Sequence, residues 1–503
     1  MLETLSQLMN GFAIALAPQN LLFGFIGCLL GTLIGVLPGI GPTSGIAMLL
    51  PLTTILEPTA AIIMLAGLYY GAMYGGSTTA ILVNIPGEVS SVPTALDGYK
   101  LARQGKAGLA LSMAAISSFV AGTLSLLGLT FFAPNLAKMA LQFGPPEYFA
   151  LMVLALSVVV NLSGRSLLKG LISGFVGFLI ASIGMDPMTG VNRFSFGNLN
   201  LMSGIDFISV IIGLFAVTEI LSNVEENAVD VYQTKLTGLW PKLSDLIYTL
   251  PAMLRSTVIG FFMGLLPGCS PGVTSFVAYD TEKRISKNPE KFGTGEILGV
   301  VAPEGANNAT TSGGFVPLMA FGIPSGPALA VLLGGLMMYG LQPGPTLFEK
   351  HGDFVWAVIA SMYVGNVILL ILNLPLVGLW AKLCKVPYPI LAPMVLVFSF
   401  LGAYSVRFKL FDVGIALVFG LIGWIMKKTD FPASPLILCL ILADMFETSL
   451  KQSLSMSQGN PLIFLSRPIS LALIVIALLL AGFSIYTRYS DPKKAAQMMV
   501  ESE

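Results

Sequence analysis

Neutral hydroxyl and amide side chains form two groups within otherwise apolar stretches of this 503-residue chain. The groups are Ser77, Thr78, Thr79 and Asn84 in the first half, and Asn307, Asn308, Thr310, Thr311 and Ser312 in the second. Hydroxyls and amides can bind a carboxylate or ligate Na⁺ without the cost of burying a permanent charge. The two groups therefore predict a binding site for an organic anion and a coupling cation.

One acidic residue, Glu304, lies in the same apolar segment as the second group. An ionisable side chain inside a membrane segment is a candidate for proton or cation coupling, although a carboxylate can equally cap a half-helix. We expect ion coupling from Glu304, Asn308 and Thr311, with Na⁺ or H⁺ as the ion. No other cofactor and no metal site is expected, because the sequence carries no metal-binding motif.

A motif that occurs twice must position these side chains. The stretch GTLIGVLPGIGP (31–42) recurs 229 residues later as GFFMGLLPGCSP (260–271), and 75–86 recurs 238 residues later as 313–324. The chain is therefore predicted to be an internal duplication. Because proline and glycine stop helices, each half should break its apolar segments at these motifs.

The composition predicts an all-α polytopic membrane protein. Hydrophobic residues make up 55% of the chain and charged residues 10%, and the mean hydropathy is +0.84. Soluble proteins carry roughly 25% charged residues. The net charge of zero gives no indication of a nucleic-acid partner. The four cysteines show neither disulfide nor metal spacing.

The apolar runs predict about eleven or twelve spans, with re-entrant helical hairpins around 38–39 and 267–268. Transmembrane helices should also be broken at 75–79 and within 297–322. The connection at 53–59 has no basic residue, whereas the loop after the second hairpin is basic, so equivalent loops should lie on opposite membrane faces. Opposite placement of equivalent loops predicts an inverted structural repeat.

The predicted domains follow this repeat. They are a first transmembrane repeat at 1–222, a cytoplasmic connecting segment at 223–255, a second, inverted transmembrane repeat at 256–490 and a cytoplasmic tail at 491–503.

The hairpin tips are predicted to take part in substrate binding. Free N–H groups and the positive dipole end at a half-helix N-terminus suit an anion. Small residues at such positions can also serve close helix packing alone. The tip residues expected to bind substrate together with the two polar groups are Pro38, Gly39, Gly41, Thr43, Ser44, Pro267, Gly268 and Ser270.

An enzyme is not expected. The stretch GCSPG (268–272) matches the G-x-S-x-G motif, but that motif requires a strand-turn-helix setting and a histidine partner. The single histidine, His351, lies in a polar loop. A stand-alone organic-anion carrier or channel is one alternative function, and a membrane-embedded hydrolase is a weaker one.

Long motifs resemble the large membrane subunit of tripartite tricarboxylate transporters, the TctA family. They are GVLPGIGP (35–42), YGGSTTAILVNIPG (74–87), DGYKLARQGKA (97–107) and the second-half run from 264 through Pro303-Glu304-Gly305 to 324. The resemblance implies a multi-pass protein of the bacterial inner membrane that works with a small membrane subunit and a periplasmic solute-binding protein. It also implies secondary active uptake of carboxylates such as citrate by symport, without ATP.

Overall fold

The computed structural model describes residues 2–37, 41–157, 166–186, 189–223, 239–266, 269–383 and 388–490. Within these ranges the chain is almost entirely helical, and the one sheet is a two-stranded hairpin of β1 (Gly184–Met185) and β2 (Asn192–Arg193). The predicted all-α class is therefore confirmed.

Helices of very different lengths follow one another along the chain. The first are α1 (Leu2–Ala15), α2 (Pro18–Val36), α3 (Gly41–Leu49), α4 (Pro58–Val83), α5 (Val92–Arg103) and α6 (Ala107–Ala140). Next come α7 (Pro145–Ser157), α8 (Leu167–Ala181), α9 (Leu199–Met202), α10 (Phe207–Ile211), a π-helical segment at Ile212–Val217, and α11 (Thr218–Asn223). Short 3₁₀ segments lie at Leu50–Ile55, Val89–Ser91 and Pro289–Lys291.

The second half begins with α12 (Leu243–Leu265), α13 (Pro271–Ile285), α14 (Leu298–Phe321), α15 (Pro327–Met338), α16 (Pro345–Lys350), α17 (Gly352–Asn373) and α18 (Val377–Leu383). It ends with α19 (Tyr388–Arg407), α20 (Leu410–Lys428), α21 (Ala433–Met456), α22 (Ile463–Ser466) and α23 (Pro468–Ser490).

Six helices in the described ranges are long and apolar enough to cross a bilayer. They are Pro18–Val36, Ala107–Met139, Leu243–Leu265, Gly352–Asn373, Leu410–Lys428 and Ala433–Met456. Four shorter apolar helices accompany them, at 167–181, 207–222, 327–338 and 468–482. The chain is therefore a multi-pass membrane protein.

At each predicted hairpin tip, one helix ends before the tip and the next helix begins after it. Helix α2 ends at Val36 and α3 begins at Gly41, while α12 ends at Leu265 and α13 begins at Pro271. The tip residues Pro38, Gly39, Pro267 and Gly268 lie outside the described residues.

The helix breaks predicted at 75–79 and within 297–322 do not occur. Helix α4 runs unbroken through Gly75, and α14 runs unbroken through Pro303 and Pro317. A Cβ atom at Gly75 would lie 2.4 Å from the Thr32 carbonyl oxygen, so this glycine permits close packing of α4 on α2. The prediction was wrong because packing against neighbours lets membrane helices tolerate Gly and Pro.

Both helices end instead where the second motif ends. Asn84 follows α4 with a φ of 58°, and Gly322 follows α14 with a φ of 72°, so both residues are left-handed C-caps. Such a conformation favours glycine and, less strongly, asparagine. The equivalent motifs therefore stop equivalent helices in the same way.

The duplication is visible in helix packing. A Cβ atom at Gly31 of α2 would lie 2.2 Å from the Leu68 carbonyl oxygen of α4. A Cβ atom at the equivalent Gly260 of α12 would lie 2.5 Å from the Ala306 carbonyl oxygen of α14. Each pair brings two backbones into contact, as small residues allow in membrane helices. The inverted orientation of the repeat stays a prediction.

The chain forms two compact units, 1–137 with 219–402 and 138–218 with 403–503. Each unit combines segments from both predicted halves. In the second unit, Glu447 forms two ion pairs. Its Oε1 atom lies 2.7 Å from Arg193 Nη1 and 2.8 Å from Lys451 Nζ. The domain boundaries drawn from the repeat stay a prediction, and the predicted connecting segment contains the start of α12 at Leu243.

Candidate functional site

Helices α4 and α14 of the first unit meet along a line of buried polar side chains. The Ser77 hydroxyl donates a 2.5 Å hydrogen bond to Glu304 Oε2, and the Tyr70 hydroxyl donates one of 2.5 Å to Ser312 Oγ. These two contacts join the first and second halves of the chain. We call the following residues the polar seam: Tyr70, Ser77, Glu304, Asn307, Asn308 and Ser312.

The Glu304 carboxylate is fully buried and receives hydrogen bonds on both oxygens. The Thr94 hydroxyl of α5 donates to Oε1 at 2.5 Å, opposite the Ser77 contact on Oε2. Within the described residues, no lysine or arginine forms an ion pair with Glu304. A buried carboxylate of this kind is stabilised by hydroxyl donors alone, which marks it as a candidate for proton or cation binding.

Two asparagines follow Glu304 on the same face of α14, one turn further on. The Asn308 amide donates to the Glu304 carbonyl oxygen at 3.2 Å, and the Asn307 amide nitrogen lies 3.3 Å from Glu88 Oε1. Their Oδ1 atoms are buried and have no hydrogen-bond partner among the described residues. Buried acceptors are normally satisfied, so these two oxygens can accept a donor or a cation.

Glu88 was missed by the sequence analysis. It lies between α4 and the 3₁₀ segment at 89–91, and its carboxylate accepts hydrogen bonds from Ser90 and Asn307. A Cβ atom at Gly76 of α4 would lie 2.8 Å from Glu88 Cγ, which places this carboxylate against the helix that carries Ser77. The available signal was an acidic residue two positions after the repeated Ile85-Pro86 pair.

The two threonines of the second polar group, Thr310 and Thr311, lie on different faces of α14. The Thr310 hydroxyl donates to the Ala306 carbonyl oxygen at 2.8 Å and lies 3.0 Å from that of Gly260 on α12, so it is on the face opposite the polar seam. The Thr311 hydroxyl donates to the Asn307 carbonyl oxygen at 2.9 Å, and its side chain contacts the Tyr69 hydroxyl of α4. Ser312 and Thr311 therefore both face α4, through Tyr70 and Tyr69 respectively.

The first polar group is also divided. Thr78 is buried beside Ser77, and the Thr79 hydroxyl donates to the Gly76 carbonyl oxygen at 3.2 Å. Asn84 is exposed at the end of α4, where its left-handed backbone explains an asparagine without any ligand.

Of the hairpin residues, Ser270 lies at the N-cap of α13, and its carbonyl oxygen accepts from the Thr274 N–H at 3.2 Å. The next turn reaches α14, where the Ser275 hydroxyl lies 3.3 Å from the Pro303 carbonyl oxygen. The start of α13 therefore lies beside the residue that precedes Glu304. At the first hairpin, Gly41 begins α3 with a φ of 64°, and Thr43 and Ser44 follow in the first turn of that helix.

The hydrolase alternative gains no support from this geometry. His351 lies between α16 and α17, with its backbone N–H bonded to the Leu347 carbonyl oxygen. Among the described residues, no hydrogen bond connects His351 with Ser270.

A small cavity opens beside the polar seam. Its polar lining residues are Tyr74, Ser77, Thr78, Ser118 and Asn373, the rest of the lining is apolar, and its volume is about 10 Å³. That is the space needed for about one water molecule. The cavity can therefore hold a water molecule, while a carboxylate substrate requires the site to open.

A second buried carboxylate, Asp97 of α5, holds the loop that precedes α14. It accepts hydrogen bonds of 2.8 Å from the backbone N–H groups of Gly293, Gly295 and Glu296, and another of 2.8 Å from the Tyr279 hydroxyl. These four donors satisfy the charge, so Asp97 positions α14 relative to α5. It lies in the DGYKLARQGKA stretch, but its partners could not be identified without the tertiary fold.

Fold and site together define a multi-pass α-helical membrane protein with an uncompensated buried carboxylate in a polar seam between duplicated helices. Comparison with known families then gives a specific assignment: the tripartite tricarboxylate transporter TctA family matches residues 21–438. The chain belongs to this family, and the resemblance inferred from the sequence is confirmed. It is accordingly a component of a tripartite tricarboxylate transporter system.

Two similar proteins come from Agrobacterium vitis. An uncharacterised 52.8 kDa protein in the TAR-I ttuC′ 3′ region is 44% identical over 479 residues, which cover 95% of each chain. An uncharacterised protein in the TAR-II ttuC′ 3′ region is 36% identical over 244 residues, covering 48% of this chain and 100% of that protein. No solved structure shows a significant match.

Proposed function

We propose that this chain is the large permease subunit of an importer that couples the uptake of an organic carboxylate to the inward movement of Na⁺ or H⁺. The substrate belongs to the tricarboxylate or dicarboxylate class. Family membership supports the transporter class, and the polar seam supports the coupling. The observation that carries the proposal is the buried Glu304 carboxylate, held by Ser77 and Thr94 from the other half of the chain.

The chemistry of the polar seam suits an anionic substrate once it opens. Its hydroxyl and amide groups can donate hydrogen bonds to a carboxylate, and they carry no permanent charge that must be desolvated. The start of α13 lies beside Pro303, so the positive end of that helix dipole is directed near the same region. Both features favour a carboxylate over a cationic or apolar substrate.

The same region suits a coupling ion. Glu304 changes its net charge when it binds a proton or a cation, and no basic residue in the described ranges neutralises it. Because an anion and an ionised Glu304 repel each other in a low-dielectric interior, an anion binds more tightly after Glu304 is neutralised. This difference in affinity is the coupling between ion and substrate.

The family's tripartite organisation supports two protein partners. We propose that the chain works in the bacterial inner membrane with a small membrane subunit, and that a periplasmic solute-binding protein delivers the carboxylate. On this proposal the energy comes from an ion gradient rather than from ATP.

The experiment is uptake of radiolabelled citrate into proteoliposomes that contain the chain and its small membrane subunit. We expect accumulation only when the binding protein is outside and an inward Na⁺ or proton gradient is imposed. Equal uptake without the binding protein would instead indicate a stand-alone carrier or channel. Failure to accumulate citrate and shorter dicarboxylates under either gradient would overturn the proposed function.

A further inference from the structure

Two carboxylates from different halves of the chain approach the same part of α14. Glu304 is one turn from Asn307 on that helix, and the Asn307 amide contacts Glu88 at 3.3 Å. The Ser77 hydroxyl of α4 contacts Glu304, and a Cβ atom at the adjacent Gly76 would lie 2.8 Å from Glu88 Cγ, so both carboxylates lie against the same turn of α4. In the described ranges, neither carboxylate forms an ion pair with a lysine, arginine or histidine. Like charges brought close together in a low-dielectric site are unfavourable, so this region favours the binding of a positive ion.

Two further oxygens at this place are available as ligands. Asn307 and Asn308 are 0% exposed, and their Oδ1 atoms have no hydrogen-bond partner in the part of the chain that the structure describes. The Asn307 amide faces Glu88, and the Asn308 amide contacts the Glu304 carbonyl oxygen. Carboxylate and amide oxygens are the ligands that hard metal cations prefer.

We propose that Glu88, Glu304, Asn307 and Asn308 form one binding site for a bare monovalent metal cation of the size of Na⁺. The inference rests on the proposed ion coupling and adds Glu88 as a ligand that neither the motifs nor the family assign. A metal cation accounts for the two unpartnered amide oxygens as well as the two carboxylates. A single proton would occupy one oxygen only, whereas one metal cation can contact all four ligands at once.

The site ties ion binding to the contact between the two halves. Glu88 follows α4 in the first half, and the three other ligands lie on α14 in the second half. A cation bound by ligands from both halves therefore stabilises the closed polar seam. It also lowers the repulsion toward a substrate carboxylate, so the cation binds before the anion.

The test measures Na⁺ binding by the purified full chain, without carboxylate substrate. Thermal unfolding midpoints are recorded against rising NaCl, with choline chloride holding ionic strength constant and KCl as a parallel series. We expect a saturable rise with Na⁺ in the wild type, because a ligand that binds only the folded state stabilises it. In Glu88→Gln, the half-saturating Na⁺ concentration should rise at least about tenfold, since cation affinity depends on ligand charge.

Two further variants keep the test decisive. Asn307→Ala removes an amide oxygen and leaves both carboxylates, so it should also weaken Na⁺ binding even if Glu88→Gln does not fold. Glu290→Gln, in the exposed 3₁₀ segment at 289–291, should behave as wild type. The proposal is overturned if Na⁺ stabilises the wild type no more than K⁺ or choline, if only pH moves the midpoint, or if the folded Glu88 and Asn307 variants bind Na⁺ normally.

The outcome is independent of the uptake assay. Sodium binding at Glu88 without carboxylate uptake would remove the proposed function and keep the cation site. Carboxylate uptake by a protein that shows no specific Na⁺ binding would remove the site and keep the function.

Discussion

The Ser77 hydroxyl of α4 donates a 2.5 Å hydrogen bond to the Glu304 carboxylate of α14, although 227 residues separate them along the chain. This contact makes the two halves of a duplicated sequence parts of one site. It does so with a neutral donor, so the negative charge of Glu304 is stabilised without being cancelled. The charge is therefore left for a mobile ion to neutralise.

Asn308 and Thr310 on opposite faces of α14 provide a first test. Asn308→Ala removes an unpartnered amide oxygen from the polar seam and should lower carboxylate uptake at least about tenfold, the loss expected when one good ligand contact disappears. Thr310→Ala alters the face that meets α12 and should change uptake far less. Initial uptake rates, normalised to inserted protein, give the comparison. Equal losses in both variants would contradict the assignment of faces.

Variants of Asn84 test whether this residue serves the backbone conformation at the end of α4 or binds substrate, as the sequence predicts. Its left-handed conformation matches that of Gly322, the equivalent cap of α14. Asn84→Gly should therefore keep stability and uptake, whereas Asn84→Ala should cost about 1–2 kcal/mol of folding free energy. Thermal unfolding and uptake are measured together. A folded Asn84→Gly protein without uptake would show that the side chain itself binds the ligand.

Gly264 tests the close approach of α12 to α14. A Cβ atom there would lie 2.6 Å from the Thr310 carbonyl oxygen, so Gly264→Ala forces two backbones apart. We expect a loss of about 1–3 kcal/mol in the free energy of unfolding. Gly414→Ala in α20 is the control, because no atom lies within 4 Å of the added methyl group. A Gly264→Ala protein as stable as the control would refute this close packing of the two helices.

Asp97 tests the anchoring of the loop before α14. Asp97→Asn keeps the shape of the side chain but loses charge-assisted acceptance from three backbone N–H groups, and should cost about 2–4 kcal/mol. Tyr279→Phe removes one donor from the same carboxylate and should cost about 1 kcal/mol. The thermal unfolding midpoints of the two variants are measured and compared with that of the wild type. The anchoring role is refuted if the tyrosine variant is the less stable one.

The packing of the duplicated helices was predictable because it depends on glycine spacing. Gly31 and Gly260 lie at the same place in a repeated motif, and each lets a backbone carbonyl approach. The same glycines misled the prediction of broken helices. Gly75 looks like a helix breaker in the sequence, yet its lack of a side chain is used for contact with Thr32 on α2.

The polar seam was predictable only in part. Glu304, Asn307 and Asn308 stand close together in an apolar stretch, so their types and spacing indicate a site. Thr94 carries no signal and Glu88 only its position after the repeated motif, because what makes both functional candidates is contact with residues more than 200 positions away. Those contacts follow from how α4, α5 and α14 pack, which local sequence does not specify.

The most direct test of the central claim is gradient-driven carboxylate uptake by Glu304→Gln in proteoliposomes with the small membrane subunit and the binding protein. Glutamine keeps an acceptor for Ser77 or Thr94 but cannot gain and lose charge. Glu290→Gln is the matched surface control. We expect Glu304→Gln to insert normally and to fail to accumulate carboxylate under an imposed ion gradient. Accumulation at the wild-type rate would contradict it.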